Sequence, residues 1–226
     1  MSEAVVAVRA ALLRGPLRRG AIGVLAGSAV VVAALGVLFT GDSQADGFDA
    51  PLDSALRDTL GRHPGLTGPL ATLGTFEPVF ALTALLVLAC LALRHWRGAI
   101  LAAVSVLVAI ESTEHVLKPL TDRTIRGFLS FPSGHATSMF ALATVLAILL
   151  AQPQAGRVPR AVRTIVLVVA FAVATLVGLA MVSLSFHYVT DVVAGAAVGI
   201  GVTMAVALII DRIADVPHDD GAGGGT

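Results

Sequence analysis

The four residues Pro132-Ser133-Gly134-His135, which open a long apolar run, are the clearest candidates for chemistry in this chain. Proline fixes the chain as it enters a helix, serine caps the first turn, and glycine leaves backbone N–H groups open to an anion. The four residues therefore predict a phosphate site with a histidine beside it. An ordinary helix start is the alternative interpretation, because Pro-Ser-Gly also suits helices without a ligand.

A second chemical group, His187 with Asp191, lies near the end of the chain. If the chain is helical from His187, Asp191 lies one turn on and can accept a hydrogen bond from the imidazole, which makes the histidine nucleophilic. Alternatively, Thr190 or Asp191 merely caps a helix. Two histidines and a carboxylate together are what a covalent phosphohistidine mechanism needs, so His135 joins this group as a candidate.

Three cations, Lys118, Arg123 and Arg126, lie shortly before His135. Ammonium and guanidinium donors neutralise the charge on phosphoryl oxygens, so these side chains are candidate phosphate ligands. The alternative is that they reach the lipid headgroups.

Glu114 and Glu111 stand four residues before Lys118 and His115, respectively. On a helix this spacing places each pair on one face. The glutamates could orient Lys118, or they could form only a buried polar cluster.

The elements that position these residues are membrane helices. The chain is 56% hydrophobic and 13% charged, with a mean hydropathy of +0.89, which is typical of an integral membrane protein. We predict an all-α, polytopic fold in which six transmembrane helices form one bundle, near residues 20–40, 69–93, 98–118, 135–152, 163–184 and 189–210. Gly195, Gly199 and Gly201 indicate close helix packing, inside the fold or at a homodimer contact.

The arginines predict the orientation of these helices. They cluster before the first span, between the second and third, and between the fourth and fifth: Arg9, Arg14, Arg18, Arg19, Arg94, Arg97, Arg157, Arg160 and Arg163. The positive-inside rule then places both termini in the cytoplasm and the candidate site at the extracytoplasmic face of the plasma membrane.

Three regions follow from these boundaries. Residues 1–19 form a cytoplasmic N-terminal segment, residues 20–212 the membrane domain, and residues 213–226 a disordered cytoplasmic tail. Within the domain, residues 41–68 are expected to form an amphipathic connector on the outer surface.

No cofactor is indicated. The single Cys90 excludes a disulfide framework and a cysteine metal site, and no metal-ligand spacing is evident. The formal charge of zero gives no basic domain for nucleic acid. The composition is typical of a bacterial membrane protein, for which the lipid bilayer is the expected partner.

The motifs resemble those of the type 2 phosphatidic acid phosphatases, membrane lipid phosphatases related to vanadium haloperoxidases. The family motifs are Lys-x6-Arg-Pro, Pro-Ser-Gly-His and Ser-Arg-x5-His-x3-Asp. The resemblance implies that His187 is the nucleophile, Asp191 its orienting partner and His135 the acid. It further implies that Lys118, Ser133 and the Gly134 backbone hold the phosphate of a lipid phosphate or diphosphate, without a metal.

Two family arginines are missing from the chain. Ile125 stands seven residues after Lys118, with Arg126 after it, and Met181 stands six residues before His187. Arg123 or Arg126 could replace the first arginine. Because both histidines and the aspartate are retained, we expect a metal-independent lipid phosphatase. A catalytically impaired lipid-phosphate binding or scaffold protein is the main alternative, and a small transporter using Glu111 and Glu114 is the other.

Overall fold

Apolar helices form nearly all of the structure, a computed structural model that describes residues 11–13, 15–152, 155–156 and 158–214. In chain order these are α1 Pro16–Leu38, α2 Asp49–Thr59, α3 Pro64–Leu73, α4 Phe76–Ala92, α5 Trp96–Ser112, α6 Lys118–Thr121, α7 Gly134–Leu150, α8 Arg160–Ser183 and α9 Val189–Ala214. A 3-10 turn, Leu60–Arg62, follows α2, and a π-helical turn, Thr113–Leu117, joins α5 to α6. Strands β1 Thr124–Ile125 and β2 Phe128–Leu129 form an antiparallel hairpin.

Parts of the predicted terminal regions fall outside the described residues. These parts are residues 1–10, Arg14 and residues 215–226, and Arg157 also falls outside them.

Several helices are long and apolar enough to cross a membrane. Within the described ranges there are four, namely α1, the continuous stretch Trp96–Thr121, α8 and α9. A fifth arises if α3 and α4, which meet at a bend of 54°, count as one broken span. Helix α7 is apolar but has only 17 residues. The chain is thus a multi-pass membrane protein, and the count of six spans stays a prediction.

Helix α9 is the centre of the bundle and packs against α7, α1 and α5. Its glycines allow the backbones to approach closely. A Cβ on Gly195 would collide with the Ser133 carbonyl oxygen, and one on Gly199 would collide with the Thr137 carbonyl oxygen. Because α7 begins beside the candidate phosphate site, this packing sets where that site lies relative to α9.

The two ends of the described chain meet at one end of the bundle. Asp211, near the end of α9, accepts hydrogen bonds from the backbone N–H groups of Leu12 and Leu13, both at 2.7 Å. Gln152, just after α7, donates to the Leu12 carbonyl. His135 and His187 lie where α7 and α9 begin, at the opposite end. Which end faces the cytoplasm stays a prediction.

The predicted outer connector has a different orientation from the one expected of a surface helix. Asp49 and Asp53 of α2 are buried, at 0% and 1% exposure, whereas Phe48 and Leu52 are exposed. The acidic side of α2 therefore faces the protein, where it meets the first residues of α9. Isolated buried carboxylates are costly, so these two need donors, and α9 supplies them.

The close packing of α9 on α7 gives a testable prediction. Gly199→Ala should lower the thermal unfolding midpoint of the detergent-solubilised protein, because overpacking a helix contact costs about 1–3 kcal/mol. Gly23→Ala is the matched control, since nothing lies within 4 Å of a Cβ at that position. Equal midpoints for the two variants would contradict the packing.

Candidate active site

A cavity of about 680 Å³ lies where the chemically interesting motifs converge. Its lining includes five of the predicted residues, together with Glu114: His135, His187, Lys118, Arg126 and Gly134. The other predicted residues, Asp191, Ser133 and Arg123, are buried behind this lining. The cavity therefore brings together histidines and cations from four separate segments of the chain.

The two histidines are neighbours in the cavity lining. His135 lies in the first turn of α7, and His187 lies in the turn that precedes α9. Their ring centroids are 6.5 Å apart and the rings are inclined by 60°. Both rings are thus close enough to be contacted by one phosphoryl group bound in the cavity, given that a reacting nitrogen and phosphorus approach to roughly 3–3.5 Å before attack.

Asp191 lies behind His187, as the one-turn spacing predicts. Nδ1 of His187 is 3.6 Å from Oδ2 of Asp191, a distance longer than a hydrogen bond. Oδ2 also accepts the backbone N–H of Tyr188 at 3.0 Å. Catalytic hydrogen bonds are often long before substrate binds, and with Nδ1 next to Asp191, Nε2 is the ring nitrogen left for another partner.

Ser133 and Gly134 begin α7. The Ser133 hydroxyl accepts the Ala136 N–H at 3.4 Å, so Ser133 is the N-cap residue. Its own N–H donates to the Asp191 carbonyl at 3.0 Å, which joins the start of α7 to the start of α9. Gly134 lines the cavity, where the positive end of the helix dipole favours an anion.

Glu114 already places a carboxylate at this anion site. Its two oxygens lie 2.7 and 2.8 Å from Nζ of Lys118. A Cβ on Gly134 would be 2.6 Å from Oε1 of Glu114. The glutamate thus neutralises Lys118 and lies beside the helix end that a phosphate would approach. Glu111 pairs with His115 at 3.4 Å on the exposed surface, outside the cavity lining.

The short hairpin separates the two loop arginines. Arg126 and Gly127 form its two-residue turn, with φ angles of 52° and 81°, which is the pattern of a type I′ turn. Arg126 thereby lines the cavity. Arg123, which precedes β1, is fully buried and does not line it. Of the two candidates for the vacant arginine position, the structure brings only Arg126 to the site.

Arg123 lies instead between Asp191 and Asp49, and the second of these carboxylates was not part of any sequence motif. Its Nη1 is 2.7 Å from Asp191 Oδ1 and its Nη2 is 2.7 Å from Asp49 Oδ2. Asp49 and Asp53 also accept the N–H groups of Thr190 and Val189, at the start of α9. Their four-residue spacing was the available signal, since it places both on one helical face.

Both residues that stand where the family has arginine line the cavity. Ile125 comes from β1 and Met181 from the end of α8. The cavity wall is therefore apolar at the two positions where the family pattern has guanidinium groups. Lys118 and Arg126 are the lysine and arginine among the described lining residues, and the carboxylate of Glu114 offsets part of their positive charge.

The fold and this cavity define a class of protein, a multi-pass membrane helix bundle with a histidine pair between two helix starts. Residues 107–214, which hold all of the site residues predicted from the sequence, match the family model of the PAP2 superfamily. Residues 107–214 therefore carry the PAP2 superfamily match, and the family resemblance of the motifs is confirmed.

A solved structure has the same fold. It is described as the first transmembrane PAP2 type phosphatidylglycerolphosphate phosphatase from Bacillus subtilis, at a TM-score of 0.64 and 20% sequence identity. The similarity covers 85% of this chain and 96% of that one. No curated protein matches the chain significantly.

The carboxylate of Glu114 gives a prediction about anion binding. Glu114→Gln keeps the side-chain shape but removes a negative charge beside the anion site, so inorganic phosphate should bind several-fold more tightly. Titration calorimetry of the purified protein measures this, and Glu111→Gln, outside the cavity, is the matched control. Weaker phosphate binding by Glu114→Gln would mean instead that the carboxylate holds Lys118 in a binding position.

Burial of Asp53 gives a prediction about pH. Desolvation, with a smaller contribution from the nearby Asp49 carboxylate, raises the pKa of Asp53 to about 6, against an ordinary value of 3.8. Because the pKa of Asp53 is higher in the folded protein than in the unfolded chain, protonation of Asp53 stabilises the fold. This contribution is fully present below pH 3.8 and is lost as the pH rises through about 6.

Asp53→Asn should therefore raise the unfolding midpoint relative to wild type at pH 7 more than at pH 4. The amide still offers an acceptor to the Val189 N–H. Thermal unfolding in detergent from pH 4 to 7 provides the comparison, and parallel curves for the two proteins would exclude a titrating Asp53.

Proposed function

We propose that the protein is a metal-independent phosphatase that hydrolyses a lipid phosphate at the outer surface of the membrane. The observation that carries the proposal is the neighbouring pair His135 and His187 in a cavity that also presents Lys118, Arg126 and the start of α7. One ring can attack phosphorus while the other protonates the leaving oxygen, which is the arrangement that nucleophilic phosphoryl transfer needs.

The proposed reaction has two steps. In the first, Nε2 of His187 attacks phosphorus, the P–O bond to the lipid alcohol breaks, and His135 donates a proton to the departing oxygen. In the second, His135 takes a proton from water, the water oxygen attacks phosphorus, and the P–N bond breaks to release inorganic phosphate. Asp191 stabilises the positive charge that His187 acquires, while Lys118, Arg126 and backbone N–H groups at Gly134 stabilise the phosphoryl oxygens.

The surroundings of the cavity support a lipid substrate. Phe76, Phe128 and Phe186 line the cavity and are themselves 69%, 76% and 51% exposed. Exposed aromatic side chains are costly in water but suit acyl chains at a membrane surface. The headgroup would enter between the histidines while the tails stay in the bilayer. The phosphatidylglycerolphosphate phosphatase with the same fold is consistent with such a substrate.

A second function is favoured by the apolar wall of the cavity. Met181 and Ile125 occupy the family's arginine positions, and Glu114 offsets the charge of Lys118. Removing one preorganised donor to developing charge slows other enzymes by roughly 10²–10³-fold. A protein that binds a lipid phosphate without cleaving it is therefore the alternative.

The test is phosphate release by purified protein in detergent micelles containing a chelator. The panel contains phosphatidic acid, phosphatidylglycerol phosphate and a polyprenyl diphosphate. We expect release from at least one lipid, and its loss in His187→Ala, because the variant lacks the attacking nitrogen. His115→Ala is the matched control, since this histidine is exposed and outside the cavity lining.

Two results would contradict the proposal. Turnover that disappears in chelator would require a metal, and turnover that survives His187→Ala would require a different nucleophile. Phospholipid binding without release from any lipid, unchanged in His187→Ala, would favour the binding protein.

A further inference from the structure

Arg123 is a fully enclosed charged side chain next to the candidate site. Its exposure is 0%, and Asp49 and Asp191, the two carboxylates that it contacts at 2.7 Å, are equally buried. A buried guanidinium between two carboxylates with short contacts on both prongs has little freedom to reach another ligand. Both terminal nitrogens of Arg123 therefore already bind carboxylates, and Arg123 does not line the cavity.

Aromatic rings fix the plane of the guanidinium. The Arg123 Cζ atom lies 4.1 Å from the ring centroid of Phe39 and 4.2 Å from that of Tyr188. Stacking of this kind stabilises a cation and restricts its rotation. Phe39 follows α1 and Tyr188 follows His187, so residues from distant parts of the chain hold the arginine in one orientation.

Thr190 closes the network on the side of α9. Its hydroxyl accepts from Nη1 of Arg123 at 2.7 Å and donates to Asp49 Oδ2 at 2.6 Å. Its backbone N–H donates to Asp49 Oδ1 at 3.0 Å. Asp49 is thus bound both to Arg123 and to the helix that begins just after His187.

We infer that Arg123 is a positioning residue, anchored by Asp49 of α2, that orients Asp191 against His187. Arg123 holds Oδ1 of Asp191 and the Tyr188 N–H holds Oδ2, so the carboxylate cannot turn, and Oδ2 stays directed at Nδ1 of His187. The inference rests on the proposed function, because it assigns a role in attack by His187. It adds Asp49, which lies outside the sequence motifs, to the residues that support the nucleophile.

Four variants of the full chain separate this role from phosphate binding. Arg123→Lys keeps the charge but loses the fork that spans two carboxylates, and Asp49→Asn weakens the anchor. Arg126→Gln removes a proposed phosphate ligand. Asp53→Asn is the matched control, because Asp53 lies on the same buried face of α2 and accepts from the start of α9, yet makes no hydrogen bond to Arg123.

The measurements are kcat and KM for dioctanoyl phosphatidic acid in micelles, and the dissociation constant of inorganic phosphate by calorimetry. If that lipid is not cleaved, the lipid of the panel that is cleaved replaces it. Arg123→Lys and Asp49→Asn should lower kcat roughly 10- to 100-fold, because a small misplacement of a reacting group costs about this much. Neither should change KM or phosphate affinity more than about twofold. Arg126→Gln should weaken phosphate binding, and Asp53→Asn should resemble wild type.

Three outcomes would overturn the inference. Weaker phosphate binding by Arg123→Lys, comparable to that of Arg126→Gln, would make Arg123 a ligand. An unchanged kcat in folded Asp49→Asn would remove the anchor. An equal loss in Asp53→Asn and Asp49→Asn would show that docking of α2 matters rather than the Arg123 contact. If wild type releases phosphate from no lipid, the proposed function fails instead, and unaltered phosphate affinity in Arg123→Lys still supports its placement outside the phosphate site.

Discussion

The ionic contact of Arg123 with Asp49 and Asp191 is the constraint on which the candidate site depends. Charged groups are expensive to bury singly, and breaking a buried pair by removing one partner is strongly destabilising. Here one guanidinium joins the segment after α1, the loop before the hairpin and the start of α9. These elements cannot separate without leaving a buried charge unpaired. The contact therefore favours one relative placement of α2, the hairpin and α9.

The backbone geometry of the hairpin gives Arg123 and Arg126 different surroundings. A two-residue turn with positive φ at both positions reverses the chain between β1 and β2 and leaves Arg126 at the tip. Arg123 stands at the base, where the chain enters the protein. Two residues of the same type, three positions apart, thus have opposite surroundings, one an anion cavity and the other a pair of carboxylates. Charge and spacing alone do not distinguish them, because the distinction arises from the turn.

The sequence predicted the residues that line the cavity better than the residues that support them from behind. The histidines, Lys118 and Gly134 could be identified because each lies in a short motif whose spacing has a local meaning, such as a helix start or one helical turn. Asp49 could not be related to Asp191, because their contact through Arg123 joins residues far apart in sequence. Its burial also contradicts the usual expectation that an acidic helix between membrane spans faces water. The span count also remains a prediction, because α3 and α4 meet at a bend and α7 is short.

The charges around the cavity determine what kind of phosphate it suits. Lys118 and Arg126 supply two positive charges, Glu114 removes one, and Ile125 and Met181 supply none. Such a cavity neutralises a phosphate monoester less completely than the family's full set of cations would, and a diphosphate less still. In the proposed reaction, backbone N–H groups at the start of α7 and the histidine pair would then carry a larger share of the stabilisation. The placement of His187 relative to α7 therefore matters more in this cavity than in one rich in guanidinium groups, and that placement is what the buried Arg123 network and the Gly195 and Gly199 contacts hold.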